Sequence, residues 1–198
     1  MRRSGVPTRV AVFASLREVL MERPWSKVTL EAVAKGAGVS RQTIYNDFGS
    51  RAGLAEAYAF DLADTFCDLV DADMRRHADD PRAALEAALR TFLDGTSGDP
   101  LIRRVQHGDA HPDLVRLVTT DSGPLLTHIA RRLTESVAAL WPVADPAAGQ
   151  ALSRMIARLG FSYVAMPPET EDDVAADLAA LLAPALEAAT APGRGADA

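Results

Sequence analysis

Apolar positions recur along the chain at three- and four-residue intervals, and proline and glycine cut this pattern into a series of helices rather than strands. The first predicted helix covers residues 8–22, with Val12, Phe13, Leu16, Val19 and Leu20 on one face, and Pro24 closes it. Thr29 is a good N-cap for a second helix, barely two turns long, whose Leu30, Val33, Ala34 and Ala37 form one stripe. Gly38 then permits a left-handed turn. Ser40 caps a third helix through Asn46, with Val39, Ile44 and Phe48 available to pack inward, so three short helices share one small core.

A longer helix, residues 51–78, follows the Ser50 cap and carries Leu54, Tyr58, Ala59, Leu62, Phe66, Leu69, Val70 and Met74 at helical spacing. Further helices are expected over 81–93, 100–106, 113–121, 124–140, 146–166 and 170–190, several opening on proline. The predicted organisation is all-α: an N-terminal three-helix domain over residues 1–50, a larger helical domain over 51–190, and a flexible tail over 191–198 holding Pro192, Gly193 and Gly195.

Composition narrows the class further. The 198 residues allow one large domain or two small ones, and 48% hydrophobic with 24% charged residues is ordinary globular usage. Only 6% are aromatic, and the abundance of alanine and leucine argues against a β-sandwich or barrel. The one cysteine, Cys67, has no partner for an internal bridge, which fits a reducing cytoplasm. Arg2 and Arg3 precede no apolar export segment, and no run approaches the ~18 apolar residues of a membrane span, so no membrane partner is expected. The net charge of −6 is unevenly distributed: residues 1–58 carry nine basic against five acidic side chains, and the remainder twelve against twenty-two. Any polyanion contact therefore belongs near the N-terminus.

The segment 29–48, TLEAVAKGAGVSRQTIYNDF, has the spacing of a helix-turn-helix. In that motif one helix crosses the DNA backbone and the next presents its N-terminal residues to the major groove. With Val39, Ile44 and Phe48 inward, the outward set is Ser40, Arg41, Gln42, Thr43, Tyr45 and Asn46. Arginine suits a guanine edge, glutamine an adenine edge, and the Thr43 methyl a thymine. Lys27 and Thr29 at one helix start and Arg51 at another suit phosphate, as does the Tyr45 hydroxyl. The plainer alternative is a helical hairpin that merely packs, with Tyr45 in the core and Gln42 and Asn46 solvated.

From Trp25 to Leu54 the sequence WSKVTLEAVAKGAGVSRQTIYNDFGSRAGL resembles the DNA-binding signature of the TetR family of bacterial transcriptional regulators. The likeness includes the GVS-x-x-T-I-Y-x-x-F core and the S-R-x-x-L that follows. Arg51 stands where the family usually has lysine, and Pro24 where it commonly has glycine. The resemblance implies a three-helix DNA-binding domain, a larger ligand-binding and dimerisation domain, a homodimer on a palindromic double-stranded operator, and repression as the usual mode. GVSRQTIYNDFGSRAGLA, with the later DPLIRR, SGPLL and ALWP, is also similar to an actinobacterial subgroup associated with alkane and fatty-acid metabolism.

Two apolar stripes near the C-terminus, Leu152, Met155, Ile156, Leu159 and Tyr163, then Leu178, Leu181, Leu182 and Leu186, are expected to pair with their copies in a four-helix dimer interface. A monomer core is the alternative. Dimerisation would set two reading helices about 34 Å apart, one DNA turn. Between the ends, Phe60, Phe66, Leu89, Phe92, Ile102, Val105, Leu126, Ile129, Leu133 and Phe161 are expected to line a pocket for a small apolar effector. Arg103, His107, Thr127 and His128 are polar groups near them in sequence, and taken singly each lining residue suits plain core better than ligand contact. With the subgroup resemblance, the expected effector is a long-chain fatty acid or acyl compound.

An enzyme would have to use His107-Gly-Asp-Ala-His111, a short metal-like tract centred on Asp109. Gly108 and Pro112 interrupt any regular helix face there, and a loop near a helix end fits better. No nucleophile elbow, P-loop or dinucleotide fingerprint occurs, so no cofactor, catalytic residue or metal ligand is assigned. The remaining alternatives are a metal-dependent enzyme and a helical sensor dimer that does not bind DNA.

Overall fold

Caps and close-packed glycines decide where the helices begin and end. The computed structural model describes residues 6–107, 111–168 and 173–190. Within them the elements are α1 (Val6–Glu22), a 3-10 turn (Trp25–Lys27), α2 (Leu30–Gly36), α3 (Arg41–Phe48), α4 (Arg51–Arg76), α5 (Pro81–Gly98), α6 (Pro100–Gln106), α7 (Pro112–Val118), α8 (Gly123–Leu140), α9 (Pro146–Ala165) and α10 (Val174–Thr190). No strand occurs among the described residues, so the all-α expectation holds. The expected tail 191–198, Asp109, and the stretch 170–172 at the expected start of the last helix lie outside the described residues.

The chain divides into two compact units that do not follow a single cut at residue 50. One comprises residues 1–62 with 97–122, the other 63–96 with 123–198. The first unit holds α1, α2, α3, the opening turns of α4, and α6 and α7. Its core is Val12, Leu16, Leu20, Trp25, Val33, Ile44, Leu54, Tyr58, Leu101 and Leu114, all buried. Polar ties reinforce it. Tyr58 donates to Asp99 Oδ2 at 2.8 Å, and Arg17 lies 3.4 Å from the same oxygen. Asp99 Oδ1 accepts from the backbone N–H of Leu101 and Ile102, so this buried carboxylate caps α6 while holding α1 and α4. Burial and then the Asp99 carboxylate raise the Tyr58 phenol far above its ordinary pKa, so it remains a donor.

The second unit packs the rest of α4 and α5, α8, α9 and α10 around Met74, Leu85, Val137, Leu152, Leu182 and Leu186, with alanines 84, 88, 179 and 183 between them. Small side chains there let helices approach closely. Asp73, buried on α4, accepts from Thr91 of α5 and from Arg76. Trp141 donates from Nε1 to the Ala78 carbonyl at 2.7 Å.

Several boundaries depart from the sequence expectation for local reasons. The α5 helix runs on to Gly98 instead of stopping at 93, because Gly95 is pressed against Phe66: a Cβ there would lie 2.7 Å from the Phe66 ring. The glycine is a packing contact rather than a stop. The α7 helix ends at Val118 rather than 121, where Asp121 N–H turns back to the Arg116 carbonyl. The α10 helix, by contrast, runs through Pro184 to Thr190 as expected, since Leu182, Ala183, Leu186 and Ala189 are buried along it and outweigh the missing N–H.

Candidate nucleic-acid interface

The interface is assembled by a tight backbone path. Thr29 accepts from Ala32 N–H at 3.1 Å to cap α2, and Gly38, at φ +66, turns the chain into α3. Ser40 accepts from Thr43 N–H at 3.0 Å, and its hydroxyl meets the Thr43 hydroxyl at 2.8 Å. Gly49, at φ +70, ends α3, and Ser50 caps α4 through Gly53 N–H. A Cβ on Gly53 would stand 2.1 Å from the Phe48 carbonyl oxygen, so α3 and α4 meet where only glycine fits.

Ile44 is fully buried and anchors the inner face of α3. Phe48 packs at 5.9 Å on Phe13, which in turn lies 5.5 Å from Tyr58, and Arg9 covers both the Phe13 and Phe48 rings at 5.6 Å. On the other side Ser40, Arg41, Gln42, Tyr45 and Asn46 are exposed and Thr43 is half-buried. Tyr45 is 58% exposed, so the reading that buries it as a core aromatic fails. Gln42 donates from Nε2 to Asn46 Oδ1 at 2.7 Å. Lys27 is exposed at the end of its turn, while Thr29, exposed too, has its hydroxyl committed to the cap.

Arg51 has a different environment from the one its sequence position implies. Its guanidinium donates to Asp113 Oδ2 from Nε at 3.2 Å and Nη2 at 3.1 Å, to the carbonyls of Trp25 and Val28, and meets His111 Nε2 at 2.8 Å. It also lies over the Trp25 ring at 5.3 Å. The buried Trp25 itself donates from Nε1 to Asp113 Oδ2 at 3.1 Å. Burial alone would raise the Asp113 carboxyl, but the hydrogen bonds from Trp25 and Arg51 and the nearby charges outweigh it and hold the group below the usual carboxylate range. Sequence reading missed Trp25 and Asp113 as partners because 88 residues separate them and no periodicity reports such a contact.

The remaining candidates fall as follows. His107 ends α6 and His111 caps α7, its Nδ1 accepting from Asp113 N–H at 3.2 Å; the loop expected between them falls on residues 108–110, which lie outside the described residues. Phe60, Ile102 and Val105 belong to the first unit, and Phe66, Leu89, Phe92, Leu126, Ile129, Leu133 and Phe161 to the second. There Phe66 and Phe92 meet edge to face at 5.8 Å, with Gly160 leaving room for Phe92. His128 pairs with Asp64 at 2.7 Å and Thr127 with the Gly123 carbonyl at 2.9 Å. An open groove of about 520 Å³ runs between α8 and α9, lined among others by Leu126, Ala130 and Thr134 and by Arg154 and Arg158.

Of the residues expected to pair two copies, Leu152, Leu182 and Leu186 are buried inside one chain, and Ile156, Leu159 and Leu178 pack partly against that same core. Met155 is 46% and Leu181 76% exposed; Tyr163 is half-buried. No described helix is long and apolar enough to cross a membrane. Burial pushes the Cys67 thiol up to about 11, which leaves it protonated at neutral pH.

Comparison with known proteins agrees with this architecture. Residues 13–58 match the family described as bacterial regulatory proteins, tetR family, and residues 80–184 match the bacterial tetracyclin repressor C-terminal domain. The chain is 44% identical over 179 residues, 90% of its length and 85% of the relative's, to the HTH-type transcriptional regulator AlkX of Mycobacterium tuberculosis. It is 32% identical over 80 residues, 40% of this chain and 35% of the other, to the regulator EthR of the same species. The crystal structure of the TetR family repressor AlkX from a Dietzia species, a protein implicated in n-alkane biodegradation, superposes with a TM-score of 0.83 at 37% identity, covering 96% of this chain and 99% of that one. With a capped helix-turn-helix inside one matched segment and the helical C-terminal domain inside the other, this chain belongs to the TetR family of transcriptional regulators, which bind DNA and are not enzymes.

Proposed function

We propose that the protein is a homodimeric repressor of genes for apolar substrates, binding a palindromic operator through α3 and released by a long-chain fatty acid or acyl compound. The observation that carries the reading is the exposed polar face of α3, fixed by caps at both ends of the turn and by a buried Ile44 beneath it. Arg41, Gln42, Thr43, Tyr45 and Asn46 are the residues proposed to face the groove, with Lys27 on phosphate. The likeness to two AlkX proteins, one implicated in n-alkane biodegradation, supports an effector related to alkane oxidation.

The proposed effector site lies in the second unit, which holds the Phe66–Phe92 pair and the half-buried Leu89, Ile129, Leu133 and Phe161, apolar side chains that suit an acyl chain. Dimerisation is assigned to outward residues rather than to the buried leucines. On α9, Met155, Arg154 and Arg158 are exposed, and with the α8–α9 groove they offer the second copy a mixed apolar and charged face. An effector must favour the DNA-incompetent state, because equal affinity for both states shifts nothing.

A mobility-shift titration on the DNA upstream of the protein's own gene tests this reading. A discrete complex that dissociates with long-chain acids or their acyl thioesters, but not with short acids, supports it. A complex indifferent to saturating acyl compounds removes the effector, and no complex at moderate salt removes operator binding.

A further inference from the structure

We infer that Gln42 and Asn46 read DNA as one hydrogen-bonded unit selective for adenine, an inference that rests on the proposed operator binding by α3. The placement follows from helix geometry. Each residue lies two positions from the fully buried Ile44, about 200° around the helix, so the pair occupies the side nearly opposite the core. Arg41 and Tyr45 are turned only about 60° and 100° from Ile44 and flank the face rather than centre it. The centre of the exposed face is therefore a pair of carboxamides and not the arginine.

Their mutual bond fixes what they present. Gln42 Nε2 donates to Asn46 Oδ1 at 2.7 Å, an i,i+4 contact of the kind that orders two exposed amides along a helix. What remains for a partner is the Gln42 Oε1 acceptor beside the Asn46 Nδ2 donors, together with the second Gln42 Nε2 hydrogen. In the major groove the adenine edge offers the converse: an N6–H donor next to the N7 acceptor. Guanine presents two acceptors and thymine one acceptor with a methyl group, so either leaves Gln42 Oε1 without a donor, and cytosine offers a donor at N4 but no acceptor beside it for Asn46 Nδ2; adenine alone satisfies both groups. Holding the two side chains together before DNA arrives also lowers the ordering cost of binding. The neighbouring hydroxyls do not compete, because Ser40 and Thr43 bond each other and the α3 N-terminus.

The test is selection of bound duplexes from a random library by the full-length protein and by Gln42→Ala, Asn46→Ala and the double variant, with thermal melting as a check on folding. The wild type is expected to enrich one adenine in each half-site. Both single variants should lose that preference at the same position, on the order of 10- to 100-fold, and the double variant should lose no more than the worse single. Replacing that adenine by 7-deazaadenine, which lacks the acceptor at N7, should weaken the wild type and leave Asn46→Ala unaffected. Preference lost at two different positions with additive effects, or an indifferent Asn46 side chain, would overturn the inference. Failure of the wild type to enrich any sequence would instead condemn operator binding itself.

Discussion

A cation beside a helix start has two physical futures, a phosphate from outside or a carboxylate from within, and the partners around Arg51 favour the second. Its donors are occupied by Asp113, His111 and two carbonyls, and its flat face by Trp25. Arg51→Ala is therefore expected to cost stability, about 1–3 kcal/mol, because Asp113 loses its counter-charge in a half-buried site. Its salt dependence of DNA binding should stay close to that of the parent. Lys27→Ala should do the reverse, leaving the melting temperature alone and reducing the log–log salt slope by about one. Unfolding followed by tryptophan fluorescence and anisotropy titrations at several salt concentrations measure both. The sequence could offer Arg51 only as a cation at a helix start; Asp113, 62 residues away, is invisible to spacing and appears once α7 is packed against it.

The same carboxylate has a pH signature. The Asp113 carboxyl is depressed in the folded protein below its ordinary 3.8, so its contribution is fully present above that pH and is lost as pH falls through the lower folded value. Acid titration of Asp113→Asn, which stays neutral throughout, should give a shallower loss of stability below about pH 4 than the parent. Parallel acid-denaturation curves for the two proteins would rule out this role for Asp113.

At the scale of elements, the short helices around the turn depend on their caps more than on propensity. Ser40 and Thr29 each satisfy a free N–H of a helix of only eight or seven residues, so Ser40→Ala and Thr29→Ala should each cost about 1 kcal/mol. Gly53→Ala should cost more than an exposed glycine substitution, about 1–3 kcal/mol, because its methyl group meets the rigid Phe48 carbonyl rather than a side chain that can move. Differential scanning calorimetry of the three variants gives these values directly. These caps and the Gly38 turn were readable in advance, since each needs a particular residue at one local position. The run of α5 past Gly95 was not, because the reason is Phe66 on another helix.

At the scale of the whole chain, periodicity identified apolar stripes correctly but could not say what covers them. The stripes of α9 and α10 were expected to meet a second copy, yet Leu152, Leu182 and Leu186 are consumed by the core of their own unit. An amphipathic helix has the same pattern whether its partner is in the same chain or another. The compact units do not coincide with a cut at residue 50 for a related reason: α6 and α7, distant in sequence, belong to the unit that holds α3 and are tied there through Asp99 and Asp113. If the second copy docks on the outward face of α9, Met155→Asp should shift sedimentation toward the monomer at micromolar concentration while leaving the melting of the core intact. A dimer unchanged by that substitution would move the interface elsewhere.

The most direct measurement of the central claim, that the capped face of α3 reads DNA in two symmetric copies, is chemical footprinting of the upstream DNA with the wild-type protein. The account predicts two protected half-sites of inverted sequence about one helical turn apart, both lost on scrambling the half-site sequence. Protection spread uniformly along the fragment, or identical protection of scrambled DNA, would contradict it.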